Sequence, residues 1–255
     1  MEKFSLAGIK QMKKNNRNSV ARLAQALPHR KRNVYSLPMY DGTRPVCIAE
    51  VKKASPSEGP IRHVSPAGQA EMYMAGGASA VSVLVDDIYF SGSFDDMSAV
   101  SARVQAPVVC KEFICTPEQV EAAWLTGADL VLLIVKMLED DELAELYSQV
   151  ASLGMTPLVE IHHESELEGV LPLSPNTLMV NMRNLDTLNI DMNTGMQTLR
   201  AIPSSIHKIS ASGIHTREDI QRVTEHTGAG TFLVGTALMK SENPQQLLQE
   251  LTDVR

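Results

Sequence analysis

The residues of this 255-residue chain that could do chemistry recur at the ends of short apolar runs. The first run, Pro45 to Val51, carries Glu50, is followed by Lys52, and breaks into a Ser55-Pro56-Ser57-Glu58-Gly59 turn. Side chains on a strand alternate between faces, so Ile48, Glu50 and Lys52 share one face and Cys47, Ala49 and Val51 the other. An acid and a base together at the end of an apolar strand are costly to desolvate without partners or a substrate. Later runs end the same way. Lys111 closes one, Glu160 a second, and Asn181 a third with Arg183 just beyond it. A solvated charge at a single strand end is ordinary, but such a set converging on one opening is not. Two carboxylates and two ammoniums brought together would perturb one another's proton affinities, as acid–base catalysis requires. Two further runs end in Ser212-Gly213 and Gly235-Thr236. Each precedes a helical stretch and would expose backbone N–H groups suited to a phosphate, although plain strand-to-helix turns would look alike. The phosphate reading implies a phosphorylated small molecule rather than a polymer.

The elements that must position these residues are eight apolar runs, read as strands near 46–51, 80–85, 107–111, 130–135, 156–161, 177–181, 206–211 and 230–234. Helical stretches lie between them. Thr116-Pro117-Glu118 places a cap residue before Pro at the first helical position, and Thr216-Arg217-Glu218-Asp219 follows the same logic. Ser241 to Asn243 followed by Pro244 begins the last helix. Gly76-Gly77-Ala78, Gly127-Ala128-Asp129, Gly154 and Gly228 mark returns from helix to strand, where a left-handed residue ends a helix. This alternation predicts an α/β fold, a single (β/α)8 barrel over residues 45–255, with its chemistry at the C-terminal ends of the strands. A doubly wound open sheet is the alternative, but Ser55-Pro56-Ser57-Glu58-Gly59 is not the Gly-rich phosphate loop it would need. Residues 1–44 form an N-terminal helical extension in which Val20, Leu23, Ala24 and Leu27 repeat at helical spacing until Pro28.

Composition allows one large core, with 44% hydrophobic, 21% charged and only 4% aromatic residues. The net charge of −7 is unevenly spread: residues 1–53 carry +9, leaving −16 for the rest. Lys10-Gln11-Met12-Lys13-Lys14 and His29-Arg30-Lys31-Arg32 make up much of the basic part. Without interleaved aromatics it reads as a solvated helix face, or as a rim attracting an anionic substrate, rather than a nucleic-acid arm. Cys47, Cys110 and Cys115 have no metal-ligand spacing, and the first and second read as reduced packing residues. His162-His163 follows Glu160, but adjacent residues on an extended segment face opposite ways, so no metal site is expected. Trp124 reads as packing, and Glu139 to Glu142 as an acidic helix start. No signal peptide or bilayer-length apolar run is present, so the expected setting is cytoplasmic, as a monomer or weak homo-oligomer.

From Pro45 onward the chain resembles the indole-3-glycerol phosphate synthase family. The resemblance rests on Ile48 to Ser57, Ser82-Val83-Leu84, Phe90-Ser91-Gly92-Ser93, Lys111-Glu112-Phe113-Ile114, Gly127-Ala128-Asp129, Leu158-Val159-Glu160-Ile161-His162, Asn181-Met182-Arg183-Asn184-Leu185 and Ser212-Gly213-Ile214. It implies decarboxylating, dehydrating ring closure of 1-(2-carboxyphenylamino)-1-deoxyribulose 5-phosphate, with no metal or organic cofactor. By position, Lys111 would be the general acid, Glu160 the proton acceptor in dehydration, and Lys52 the partner of the substrate carboxylate, held by Glu50. Asn181 would orient substrate hydroxyls and Phe90 would pack beside the aromatic ring. Ser55 and Arg183 would border the substrate, and Ser212, Gly213, Gly235 and Thr236 would hold the phosphate.

Two positions depart from the family pattern. Ala211 stands where the family usually has Glu, and Met182 where it has Asn, which would remove an amide beside the site. A binding or regulatory module that keeps only the phosphate site is the non-enzymatic alternative, supported by those two positions alone. A phosphoribosyl isomerase on the same barrel would leave Lys111 without a task.

Overall fold

A computed structural model describes residues 4–27 and 33–253. Eight parallel strands close into a barrel: β1 (Val46–Val51), β2 (Ala80–Leu84), β3 (Val108–Lys111), β4 (Leu130–Ile134), β5 (Thr156–Ile161), β6 (Thr177–Asn181), β7 (His207–Ala211) and β8 (Thr231–Val234). Each hydrogen-bonds its chain neighbours, and β8 returns to β1. The expected runs match these strands to within a residue at either end. They are legible because parallel strands sandwiched between side chains and helices are apolar on both faces. Every residue of β1, β2 and β4 is buried.

Helices follow the strands, and their starts obey the capping chemistry read from the sequence. Thr116 caps α5 (Pro117–Leu125) in a capping box with Gln119, and Thr216 caps α9 (Arg217–Thr227) through Asp219. Asn243 caps the last helix, Pro244–Thr252, by accepting from the backbone of Gln246. Gly77, Gly127, Gly154 and Gly228 all have positive φ and return the chain from helix to strand. The three cysteines are free and buried. Burial pushes the Cys47 thiol up to about 12, so it acts as a small apolar side chain. Among the described residues no helix is long and apolar enough to cross a membrane.

The N-terminal segment forms two helices, α1 (Leu6–Asn15) and α2 (Arg17–Ala26). Lys10 and Lys14 of α1 both reach Glu142, in the first turn of α6 (Asp140–Ser152), at 2.6 and 2.5 Å. The acidic helix start therefore anchors the basic segment as well as complementing its own dipole. His29-Arg30-Lys31-Arg32 lies outside the described residues. At the opposite end of the barrel, the Tyr40 ring occupies the space a Cβ on Gly230 would need, just before β8. Asp129, fully buried at the start of β4, accepts from Tyr35 N at 3.1 Å and from Val108 N at 2.9 Å. One carboxylate thus ties the incoming segment to the barrel floor.

Asp129→Ala removes both contacts, leaves the buried Val108 N–H without its carboxylate, and is expected to cost about 2–4 kcal/mol, read from urea denaturation. Asp129→Asn keeps one acceptor oxygen and is expected to lose roughly half as much.

Candidate active site

At the C-terminal ends of the strands a cavity of about 430 Å3 opens. Glu50, Lys52, Ser55, Phe90, Lys111, Glu160, Asn181, Arg183, Ser212, Gly213, Gly235 and Thr236 all line it. Every site residue expected from the sequence therefore faces one space. Leu84, Leu132, Ile134 and Leu233 supply apolar walls between the charges. In such walls each charge needs a partner, and the partners are visible.

Lys52 Nζ lies 2.9 Å from Glu50 Oε1. Burial pushes the Glu50 carboxyl up, but the Lys52 and Lys111 ammoniums, helped by Arg183, outweigh it and hold Glu50 below the usual carboxylate range. Glu50 also lies where a Cβ on Gly235 would be, so that glycine is needed to admit the carboxylate. Across the mouth, Lys111 Nζ is 3.6 Å from Glu160 Oε2, while Asn181 Nδ2 donates to Glu160 Oε1 at 3.1 Å. Asn181 Oδ1 accepts from Ser212 Oγ at 2.8 Å and from Arg183 N at 3.1 Å. Glu160, Asn181 and Ser212 are thereby linked across β5, β6 and the turn after β7.

The loops are fixed from both sides. The turn after β1 pairs Ala54–Ser55 with Gly59–Pro60, Glu58 meets Lys240 at 2.5 Å, and Lys53 meets Asp96 at 2.6 Å. Ser212 and Gly213 have φ of 70° and 78°, an unusual left-handed pair for which only the glycine is free of strain. The loop after β6 folds back through an Arg183–Ile190 bridge, and Arg183 Nη1 donates to the Leu188 carbonyl at 2.7 Å.

Met182 and Ala211 part company. Ala211 is buried and lines the cavity, beside Asn181 in register. Met182 does not line it; its side chain packs outward against Gly195 of α8 (Met192–Ala201). The expectation that Met182 removes an amide beside the site is corrected: alternation along the strand sends that position under the helix layer.

Several site residues escaped the sequence reading. Phe4 and Phe113 line the cavity with Phe90, their centroids 6.1–6.2 Å apart along the series Phe90, Phe113, Phe4. Lys13 corrects the reading of its helix face as solvated or a rim. It is buried, with Nζ 2.8 Å from Asp86 and 2.9 Å from Glu112, two acids that also line the cavity. Burial alone would push the Lys13 ammonium down, but Glu112 and Asp86 outweigh it and hold it up. Glu112 is itself raised, by burial first and by Asp86 as well, against the pull of Lys13. The available signal was an acid just beyond each of two strand ends, Asp86 and Glu112.

A closed parallel barrel with paired acids and ammoniums around one mouth is a (β/α)8 scaffold built for acid–base chemistry on a small molecule. The family model described as indole-3-glycerol phosphate synthase matches residues 4–251. The indole-3-glycerol phosphate synthase of Crocosphaera subtropica is 43% identical over 82% of this chain and 73% of its own length. That of Aquifex aeolicus is 44% identical over 80% of both. A solved thiamine phosphate pyrophosphorylase from Pyrococcus furiosus shares the fold alone, with TM-score 0.59 and 15% identity over 81% of this chain and 93% of that one. The chain belongs to the indole-3-glycerol phosphate synthase family.

Lys13→Met strands two buried carboxylates without a cation and is expected to cost about 3 kcal/mol in urea denaturation. Adding Asp86→Asn and Glu112→Gln to that variant should restore most of the loss, because the penalty lies in the unpaired charges.

Proposed function

We propose that this cavity closes the indole ring of 1-(2-carboxyphenylamino)-1-deoxyribulose 5-phosphate, with Lys111 as general acid and Glu160 as the later proton acceptor. As a member of its family the chain is a decarboxylating carbon–carbon lyase of tryptophan biosynthesis. The observation that supports the residue roles is the Lys111–Glu160 pair, 3.6 Å apart in the wall of the cavity. A donor and an acceptor stand side by side where both can reach a substrate bound in the cavity.

The ring carbon bearing the carboxylate attacks the ketone carbon as Lys111 gives its proton to the ketone oxygen. Loss of carbon dioxide from that ring carbon returns the bonding pair and restores aromaticity. The new hydroxyl then leaves as water, protonated with help from Lys52, while Glu160 takes a proton from the adjacent carbon. Lys52 first holds the substrate carboxylate, and Glu50 keeps the Lys52 ammonium placed. Phe90, Phe113 and Phe4 give the aryl ring an apolar wall. Ser55 and Arg183 border the substrate, and Asn181, already tied to Glu160 and Ser212, orients its hydroxyls. Ser212, Gly213, Gly235 and Thr236, which line the same cavity, hold the phosphate. A cytoplasmic setting belongs to the proposal, since three buried free thiols suit a reducing compartment.

Indole absorbance on adding the aryl-amino deoxyribulose phosphate tests the assignment. Lys111→Ala and Glu160→Gln are each expected to lower kcat by about 100-fold or more with modest changes in KM. Retained turnover in either variant removes that residue from its role. Ala211→Glu is expected to raise the single-turnover rate, because the new acid enters the cavity beside Asn181. An unchanged rate means the missing carboxylate does not limit the reaction.

A further inference from the structure

His162 is a buried titratable group that the ring-closure steps do not use. It stands one residue beyond β5, two residues after Glu160, with its ring beside the Glu160 carboxylate. Only 4% of His162 is exposed, and its Nε2 lies 3.5 Å from Glu160 Oε1. Its backbone is committed elsewhere: the N–H donates to Glu166 Oε2 at 2.8 Å, and the carbonyl accepts from Thr198 Oγ1 at 3.5 Å. Neither ring nitrogen has a hydrogen-bond partner among the described residues. The charged and titratable groups facing the ring are Glu160 on its own strand, Glu166 and His163 from the following turn, and Lys136 from the segment after β4.

Burial pushes the imidazole down more than Glu160 and Glu166 raise it, so the ring is neutral at physiological pH and carries one N–H. Only the tautomer protonated on Nε2 suits a carboxylate neighbour; the other sets a lone pair against an oxygen. Glu160 Oε1 already accepts from Asn181, whereas Oε2 accepts no hydrogen bond among the described residues and faces Lys111. The two oxygens therefore have different surroundings.

We propose that His162 is a positioning residue for Glu160, its Nε2–H joining Asn181 Nδ2 on Oε1 so that Oε2 is the oxygen that takes the substrate proton. The inference rests on the proton-acceptor role given to Glu160 above. The 3.5 Å gap closes to a hydrogen bond with a shift of a few tenths of an ångström, as catalytic contacts do when an active site fills. The histidine acts through Glu160 and touches no reacting atom.

The test measures kcat and KM for indole formation by the full chain and its His162→Leu, His162→Gln and Glu160→Gln variants, with the Glu160→Gln/His162→Leu double variant. His162→Leu is expected to lower kcat by about tenfold and leave KM within about twofold, since a supporting hydrogen bond is lost but no substrate contact is. His162→Gln, whose amide nitrogen reaches the Nε2 position, restores most of kcat. In the Glu160→Gln background, His162→Leu should cost nothing further. The inference is overturned by full activity in His162→Leu, by equal impairment of the Leu and Gln variants, or by the same loss in both backgrounds. If His162→Leu does not fold, His162→Asn takes its place, because its amide reaches only the Nδ1 position. Full turnover in Glu160→Gln overturns the role of Glu160 and the inference with it. A crippled Glu160→Gln beside a fully active His162→Leu overturns the inference alone.

Discussion

Charge pairing at the barrel mouth is the constraint on which the rest of this structure depends. Glu50 and Glu160 are 3% and 1% exposed, in a cavity whose remaining walls include leucine and isoleucine. An ionised carboxylate in such a place costs several kcal/mol unless an opposite charge or a donor meets it. Lys52 meets the first, and Lys111 with Asn181 meets the second. The Glu50–Lys52 pair is local to β1, whereas the Lys111, Glu160 and Asn181 set needs three strands to assemble first. The chemistry also depends on the pairs being loose enough to break. The 3.6 Å gap between Lys111 and Glu160 is longer than a hydrogen bond, so the ammonium can turn toward the cavity.

The N-terminal helices take part in the same economy of charge. Lys13 projects from α1 and is met by Asp86, just beyond β2, and Glu112, just beyond β3. Lys10 and Lys14 fix the same helix to Glu142. Lys10, Lys13, Lys14 and Arg17 of the electropositive beginning of the chain therefore meet acids of the electronegative remainder. Phe4, placed just before α1, completes an aromatic wall with Phe113 and Phe90. A truncation removing α1 would take away part of the pocket lining and would uncover two acids beside Lys111, so the segment belongs to the site as much as to the fold.

How much of this was legible follows from the range of the interactions. The strands and helix caps are written locally, in apolar runs and in Thr-Pro-Glu or Asn-Pro steps, and they emerged nearly residue for residue. The ring of Glu50, Lys52, Lys111, Glu160 and Asn181 was legible because a barrel brings all strand ends together, so position within a strand suffices. Lys13 was not legible in the same way. Its partners lie 73 and 99 residues away, and nothing in a helical pattern of charges says which one is buried. Met182 was misplaced for a different reason. Adjacency in sequence to Asn181 suggested adjacency in the site, whereas the strand's alternation sends neighbouring side chains to opposite faces.

That alternation also decides which departure from the family pattern carries weight. Met182 packs against Gly195 beneath α8, where a thioether fills apolar space without touching the cavity. Its consequence is for the fit of helix to strand. Ala211 faces the cavity, in register with Asn181 and beside Ser212, whose hydroxyl already donates to Asn181 Oδ1. An acid at that place would enter the cavity beside Asn181, adding a carboxylate to a lining that already holds Glu50, Glu160, Lys52 and Lys111. With Ala211 in its stead, Lys52 pairs with Glu50 and Lys111 with Glu160, and both ammoniums lower the Glu50 carboxyl. The substitution therefore leaves the Lys111–Glu160 pair standing. Asn181 and Ser212 are already joined to each other and to Glu160, so the lost acid is flanked by the most firmly connected part of the mouth.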